Sequence, residues 1–157
     1  MLAEFGYLSL LLAAALSLLQ GTLPWLGLRL ASPTLLRCAK PLALLNAALL
    51  GAALGLLASC FARDDFTLTY VAQHANSALP MGFKLAAVWG GHEGSMLFFV
   101  FALGLWGALV ALCSKRVDPL ITTRVLAIMG FIVGLFALYT LIFSSPFDRQ
   151  FPGPREG

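Results

Sequence analysis

The chain concentrates its chemically versatile side chains in one short segment, Trp89-Gly90-Gly91-His92-Glu93-Gly94-Ser95. An imidazole can donate or accept a hydrogen bond or ligate iron, and a neighbouring carboxylate can orient it or pair with a cation. Glycine inside a helix costs about 1 kcal/mol relative to alanine. Three glycines in five residues remove side chains, so a flat or bulky group, or another helix, can approach this backbone closely.

Two interpretations of this segment are open on physical grounds. In one, His92 or Glu93 contacts a ligand or cofactor directly. In the other, the segment is a strained contact between helices, and the two side chains satisfy backbone groups of a neighbouring loop. The residue types alone favour the second interpretation. His74 is a weaker candidate for ligand contact, because one histidine in a polar loop is most often solvated.

No other residues have a spacing typical of catalysis or of a metal site. The sequence has no Ser/His/Asp arrangement, no glycine loop for phosphate and no carboxylate pair placed for acid–base work. Cys38, Cys60 and Cys113 lie in or beside apolar runs and lack metal-ligand spacing. We interpret them as small buried hydrophobic residues and predict no metal site.

The composition indicates which class of protein positions these residues. Of the 157 residues, 60% are hydrophobic and 11% are charged, and the mean hydropathy is +0.90. A soluble domain usually carries about a quarter charged residues. Apolar runs of about 20 residues match a hydrocarbon core roughly 30 Å thick. We therefore predict an all-α, polytopic transmembrane bundle of four helices, at about 5–28, 42–61, 86–113 and 125–143, forming one membrane domain over 1–157.

The ends of these predicted helices carry further signals. Residues 1–20 lack a basic start and contain Glu4, so we expect a retained helix rather than a cleaved signal peptide. The uncharged run 95–113 spans about 27 Å as a helix, which places His92 and Glu93 at the membrane interface, where ionisable residues are functional candidates. The aromatic residues expected near the interfaces are Trp25, Tyr70 and Trp89.

The distribution of basic residues predicts the orientation. Six of the ten Lys and Arg residues lie in the first and third loops, and four lie in the loop at 62–84 and the C-terminal tail. Because cytoplasmic loops are enriched in basic residues, loops one and three are predicted to be cytoplasmic, with both termini and loop 62–84 outside. The net charge of +3 does not indicate nucleic-acid binding, since no basic face with interleaved aromatics exists. The expected surrounding is a lipid bilayer.

Small residues predict where the helices touch. Gly51 and Gly55 belong to a face of small residues on the second helix, and Gly130 and Gly134 recur at the same spacing on the fourth. Such faces let helix backbones approach closely in lipid. Asn46, a lone polar residue on the second helix, is expected to form an interhelical hydrogen bond.

The segments Asp65–Ala72, Asn76–Pro80 and Lys84–Ser95, in this order and spacing, are similar to the CcmF/NrfE family of bacterial haem lyases. The similarity extends through Arg124–Gly130, Ser145-Pro146-Phe147 and Glu156-Gly157. The resemblance implies a multi-pass protein of the bacterial inner membrane that acts in cytochrome c maturation. Such proteins accept haem from a periplasmic haem chaperone and help to attach it to apocytochrome c, together with other maturation subunits. It also implies that loop 62–84 is periplasmic.

Family members are several times longer, and their tryptophan-rich haem-binding segment and axial histidines match no residue here. The chain therefore resembles the N-terminal portion, and its end at Glu156-Gly157 suggests truncation within a continuing loop. Haem is expected for the full-length protein, and none is assigned to this chain. The leading hypothesis is that Trp89–Ser95 shapes the outer wall of a haem or apocytochrome site. The alternative is a non-catalytic scaffold or truncated partner-docking subunit that binds no haem itself, so whether the chain is an enzyme stays open.

Overall fold

Four long helices dominate the computed structural model, which describes residues 1–150. Helix α1 spans Leu2–Arg29, α3 spans Ala39–Ala62, α6 spans His92–Cys113 and α7 spans Pro119–Phe143. The shorter helices are α2 (Pro33–Arg37), α4 (Thr69–His74) and α5 (Met81–Ala87), and a 3₁₀ turn covers Ser114–Arg116. Within residues 1–150, four helical segments are long and apolar enough to cross a membrane, which confirms the predicted all-α class and the four spans.

Three of the predicted helices correspond to continuous helices in the structure. Pro24 lies inside α1 without ending it. The start of α7 follows the usual capping rule, because the Asp118 side chain accepts a hydrogen bond from the Leu120 backbone N–H at 2.6 Å. Pro119 occupies the first turn, where its missing N–H leaves no hydrogen bond unmade.

The prediction of one continuous helix over 86–113 is wrong at its start. Helix α5 ends at Ala87, a turn occupies residues 88–91, and α6 begins at His92. The break lies beside the glycines, which weaken a helix. The Tyr70 hydroxyl forms hydrogen bonds with the Val88 carbonyl and the Gly91 N–H, which the break leaves without helical partners. The third membrane span is therefore α6 with its 3₁₀ extension.

The four long helices pack in a ring in which α1 contacts α3 and α7, and α6 contacts the same two helices. The closest approach involves Gly130 on α7, where an added Cβ would lie 2.7 Å from the Gly21 nitrogen and 2.9 Å from the Ser17 carbonyl oxygen of α1. A Cβ on Gly134 would lie 3.0 Å from Leu18, and one on Gly51 would lie 3.2 Å from Phe101.

Gly55 differs from these glycines. Within residues 1–150 no atom lies within 4 Å of the position its Cβ would take, so no neighbouring helix approaches it there. A face of small residues therefore extends beyond the stretch that a second helix covers. Small size permits close packing but does not by itself specify a partner.

Polar side chains connect three of the helices inside the bundle. Asn46 donates a hydrogen bond to the Ser17 hydroxyl at 2.7 Å, which is the interhelical bond expected for it. Gln20 donates to the Leu126 carbonyl at 2.8 Å and so joins α1 to α7. These buried bonds help to fix the register of α1 against α3 and α7.

Residues 63–91 and 144–150 meet at one end of the bundle, called here the loop end. The Thr69 N–H donates to the Asp148 carbonyl at 3.0 Å, and Arg149 pairs with Glu4 near the N-terminus at 2.8 Å. The chain's first residues, the loop at 62–84 and the segment after α7 therefore share one side of the bundle. Residues 29–40 and 114–124, which contain six Lys and Arg residues, form the opposite, basic end.

Candidate functional site

Tyr70 on α4 is the centre of the contacts around the glycine-rich segment. Its hydroxyl accepts a hydrogen bond from the Gly91 N–H at 3.0 Å and donates towards the Val88 carbonyl at 3.1 Å. The side chain is only 3% exposed, so Tyr70 packs inside the protein. Burial raises the pKa of Tyr70. The backbone N–H groups of Gly91 and Gly94 lower the pKa by a smaller amount, because they favour the charged form. The phenol is therefore held neutral, as its donor role requires.

Two of the three glycines leave space that α4 fills. A Cβ on Gly91 would lie 2.5 Å from His74 Nε2 and 2.7 Å from Tyr70 Cε2. A Cβ on Gly94 would collide with the Val88 carbonyl oxygen and the Tyr70 hydroxyl. A Cβ on Gly90, by contrast, would meet its nearest atoms at 3.4 Å, an ordinary contact. The close approach indicated by the sequence is thus made by the protein's own tyrosine and histidine.

His74 belongs to the same cluster, although the sequence favoured a solvated histidine. Its ring centroid lies 4.6 Å from that of Tyr70, and its Nδ1 lies 3.0 Å from the Tyr70 carbonyl oxygen. The four-residue spacing of Tyr70 and His74 puts both rings on one face of α4. This spacing was the sequence signal that could have placed them together.

His92 and Glu93 form the first turn of α6 at the rim of this cluster. His92 is exposed, and its Nδ1 lies 2.8 Å from the buried Ser144 hydroxyl just after α7. Glu93 is partly exposed and has no ion-pair partner within residues 1–150. A carboxylate in the first turn of a helix is favoured by the helix dipole. Only His92 of this pair therefore has a side-chain partner in the described part of the chain.

Trp89 and Ser95 occupy the outer side of the turn. The Trp89 side chain is 52% exposed, and its ring centroid lies 6.0 Å from that of Phe98. The Ser95 hydroxyl donates to the Trp89 carbonyl at 2.7 Å and so fixes the backbone that carries the indole. The segment has an inner side with the buried Gly94 and the partly buried Gly91, and an exposed side with Trp89, Gly90 and His92.

A buried ion pair, which the sequence analysis missed, supports α5. The Lys84 side chain lies 2.6 Å from the Asp64 carboxylate, and Lys84 is 6% exposed. Met81, Phe83 and Leu85 on the same helix are exposed instead. Asp64 has a φ of 54°, in the left-handed region that Asp tolerates better than most residues. The sequence signal for this ion pair was a lysine placed between apolar residues, with Asp64 and Asp65 about twenty residues earlier in the chain.

Residues 1–150 contain no group of three or more His, Cys, Asp or Glu side chains that could hold a metal ion. Cys38, Cys60 and Cys113 are free thiols. Cys60 is buried between helices, and Cys113 is exposed at the far end of α6. None of them is part of the cluster around Tyr70.

The whole chain is similar to proteins of cytochrome c biogenesis. It is 46% identical to the cytochrome c-type biogenesis protein NrfE of Haemophilus influenzae over all of its length, and 42% identical to CcmF of Pseudomonas aeruginosa over 97% of it. The solved structure of a cytochrome c heme lyase, CcmF, superposes with a TM-score of 0.88 and 30% identity over 94% of this chain. The chain belongs to the CcmF/NrfE family. No protein-family model matches the sequence.

The chain spans about a quarter of the length of the CcmF and NrfE relatives it matches, and it fits their N-terminal portion. This agrees with the resemblance found in the sequence. In this CcmF/NrfE chain the space beside Gly91 and Gly94 holds Tyr70 and His74, so it is not a slot for a porphyrin. Among residues 1–150, Trp89 and His92 are exposed on the other side of the segment.

Proposed function

We propose that this chain serves cytochrome c maturation as the N-terminal membrane module, residues 1–157, of a haem lyase in the bacterial inner membrane. The observation that carries the proposal is the match of the entire chain to cytochrome c-type biogenesis proteins. The fold similarity to a CcmF structure supports it independently of local sequence motifs. Haem, apocytochrome c, a periplasmic haem chaperone and other maturation subunits are the partners of the full-length protein under this proposal.

Within that protein, the loop end contributes an outer wall to the haem or apocytochrome site. Trp89 offers an aromatic face, and the exposed His92 keeps its Nε2 free of hydrogen bonds within residues 1–150. The exposed apolar residues of α5 extend this surface. Tyr70, His74 and the Lys84–Asp64 pair act beneath it by holding the turn and α5 in place. Gly91 and Gly94 leave room behind this wall for the Tyr70 and His74 side chains.

This role requires the loop end to face the periplasm. The distribution of basic residues supports that orientation, because both loops at the opposite end are enriched in Lys and Arg. Single cysteines at the exposed positions Asn76 and Lys115, in a variant without the three native cysteines, test it. A membrane-impermeant thiol reagent applied from the periplasm should label N76C and spare K115C. The reverse pattern would contradict the assignment of the wall.

The functional test replaces His92 in the full-length protein. We expect His92→Ala to lower the yield of holocytochrome c several-fold, while Ser144→Ala, which removes only the Nδ1 partner, keeps most of it. Protein level and thermal unfolding of both variants are measured alongside. If maturation is unchanged in His92→Ala, His92 has no direct role. If both variants lose activity in proportion to stability, the pair is structural.

A second candidate function is a non-catalytic scaffold or partner-docking subunit. It is favoured by the positions of Tyr70 and His74, which fill the space beside Gly91 and Gly94 and so close that space to a porphyrin. Visible spectra of the purified chain separate the two. A stoichiometric Soret band would contradict the scaffold, and its absence together with specific retention of another maturation subunit would support it.

A further inference from the structure

A cleft of about 400 Å³ opens at the basic end of the bundle, away from the loop end. Its walls come from α2, the start of α3 and the first turns of α7. Leu36, Pro119 and Leu120 supply apolar surface, and Arg37 and Lys40 carry charges at its edge. We infer that this cleft binds an anionic phospholipid, with its phosphate between the two cations and an acyl chain along the apolar wall.

The charges at the cleft are available for a ligand. Arg37 and Lys40 are exposed and form no ion pair within residues 1–150. Asp118 also lines the cleft, but its carboxylate accepts the Leu120 N–H at 2.6 Å and so is engaged in capping α7. Thr123 lies in the same wall, where its hydroxyl can donate a hydrogen bond to a phosphate oxygen.

The position of the cleft favours a lipid over a soluble anion. It lies between the ends of helices that are long and apolar enough to span a membrane. The ends of such helices reach the headgroup region, because their length matches the hydrocarbon core. Basic pockets between transmembrane helices commonly bind anionic headgroups, because charge attraction and apolar contact act together. A free phosphate ion would use the two cations but gain nothing from Leu36 or Leu120.

Native mass spectrometry of the detergent-purified protein tests the inference. Mixed micelles contain either phosphatidylglycerol or phosphatidylcholine, and the number of retained lipids is counted. We expect one phosphatidylglycerol per chain, held in preference to phosphatidylcholine. Arg37→Gln/Lys40→Gln should weaken its binding about twenty-five-fold, since each charge contributes about five-fold. The control K115Q/R116Q removes the same charge outside the cleft and should leave binding within about two-fold of the parent.

Further variants keep the result interpretable. Should the double variant fold poorly, Arg37→Gln and Lys40→Gln alone should each give about a five-fold loss. Leu36→Ala should also weaken the lipid, because it removes part of the apolar wall. Equal losses in the cleft and control pairs would overturn the inference in favour of general surface attraction. Displacement of the lipid by inorganic phosphate, with no effect of Leu36→Ala, would overturn it in favour of a soluble anion.

Discussion

The Tyr70 hydroxyl lies 3.0 Å from the Gly91 backbone nitrogen and joins α4 to the turn that precedes α6. The same hydroxyl reaches the Val88 carbonyl on the other side of that turn. One side chain thus satisfies both a donor and an acceptor that the break between α5 and α6 leaves without helical partners. Because unpaired buried backbone groups are costly, these hydrogen bonds of Tyr70 stabilise the non-helical turn.

The first prediction concerns the close contacts of the glycines. Gly94→Ala should destabilise the protein by about 1–3 kcal/mol, because its Cβ would collide with the Val88 backbone oxygen, which cannot move freely. Gly91→Ala should cost less, since its Cβ meets side chains that can shift. Thermal unfolding in detergent measures both.

Matched glycines serve as controls for this prediction. Gly90→Ala meets ordinary contacts, and Gly82→Ala meets nothing within 4 Å among the described residues. Both should leave stability near that of the parent. Equal unfolding temperatures for G94A and G82A would show that the turn does not need the close approach.

The second prediction is the effect of Tyr70→Phe and its pH dependence. Loss of the hydroxyl should lower the free energy of unfolding by about 1–3 kcal/mol at neutral pH, because two buried backbone groups lose their partner. Burial raises the pKa of Tyr70 above the ordinary value of about 10 that holds in the unfolded chain. The contribution is therefore complete below about pH 10 and falls as pH rises through the higher pKa of the folded state.

The measured quantity is the stability difference between parent and Tyr70→Phe from pH 7 upward. Taking the difference removes the effects of other groups that titrate in alkali. We expect a constant gap up to about pH 10 and a narrowing gap above it. A gap that begins to close near neutral pH would mean that the phenol is not held in its neutral form.

The sequence specified the membrane spans well but the loop end poorly. Apolar length alone determines a helix such as Pro119–Phe143, and Asp118 marked its start. The break before His92 was missed, because the glycines could equally have served helix packing or a ligand. The structure shows that the glycines make room for Tyr70. This residue is twenty-one positions before Gly91 in the sequence, and tertiary contacts determine its place.

Pairs with distant partners explain the other omissions. Ser144 lies fifty-two residues from His92, and no periodicity connects them. Lys84 and Asp64 are both charged residues in a polar connection, which normally indicates solvation. The glycine-rich segment itself was identifiable from sequence because its composition is unusual. Its contacts were not, since they depend on which loop folds over it.

The third prediction concerns the ion pair beneath α5. Lys84→Met should destabilise the protein by about 3–5 kcal/mol, because it leaves the partly buried Asp64 carboxylate without its partner. Lys84→Met/Asp64→Asn should recover part of that loss, since Asn is neutral and tolerates the left-handed backbone of this position. A double-mutant cycle on unfolding free energies measures the coupling. Strict additivity of the two single changes would argue that the pair contributes no interaction of its own.

The fourth prediction compares a glycine that contacts a neighbouring helix with a glycine at similar spacing that contacts none within residues 1–150. Gly130→Ala should lower the free energy of unfolding by about 1–3 kcal/mol, because its Cβ would lie 2.7 Å from the Gly21 nitrogen and force α1 and α7 apart. Gly55→Ala should be neutral or slightly stabilising in the described structure, because alanine favours the helix and meets no neighbour there. In the full-length protein, however, a loss of stability in Gly55→Ala that is absent from the isolated chain would mark α3 as the contact surface for further helices. Thermal unfolding of both forms therefore tests the packing of this module and reports whether Gly55 faces lipid or protein.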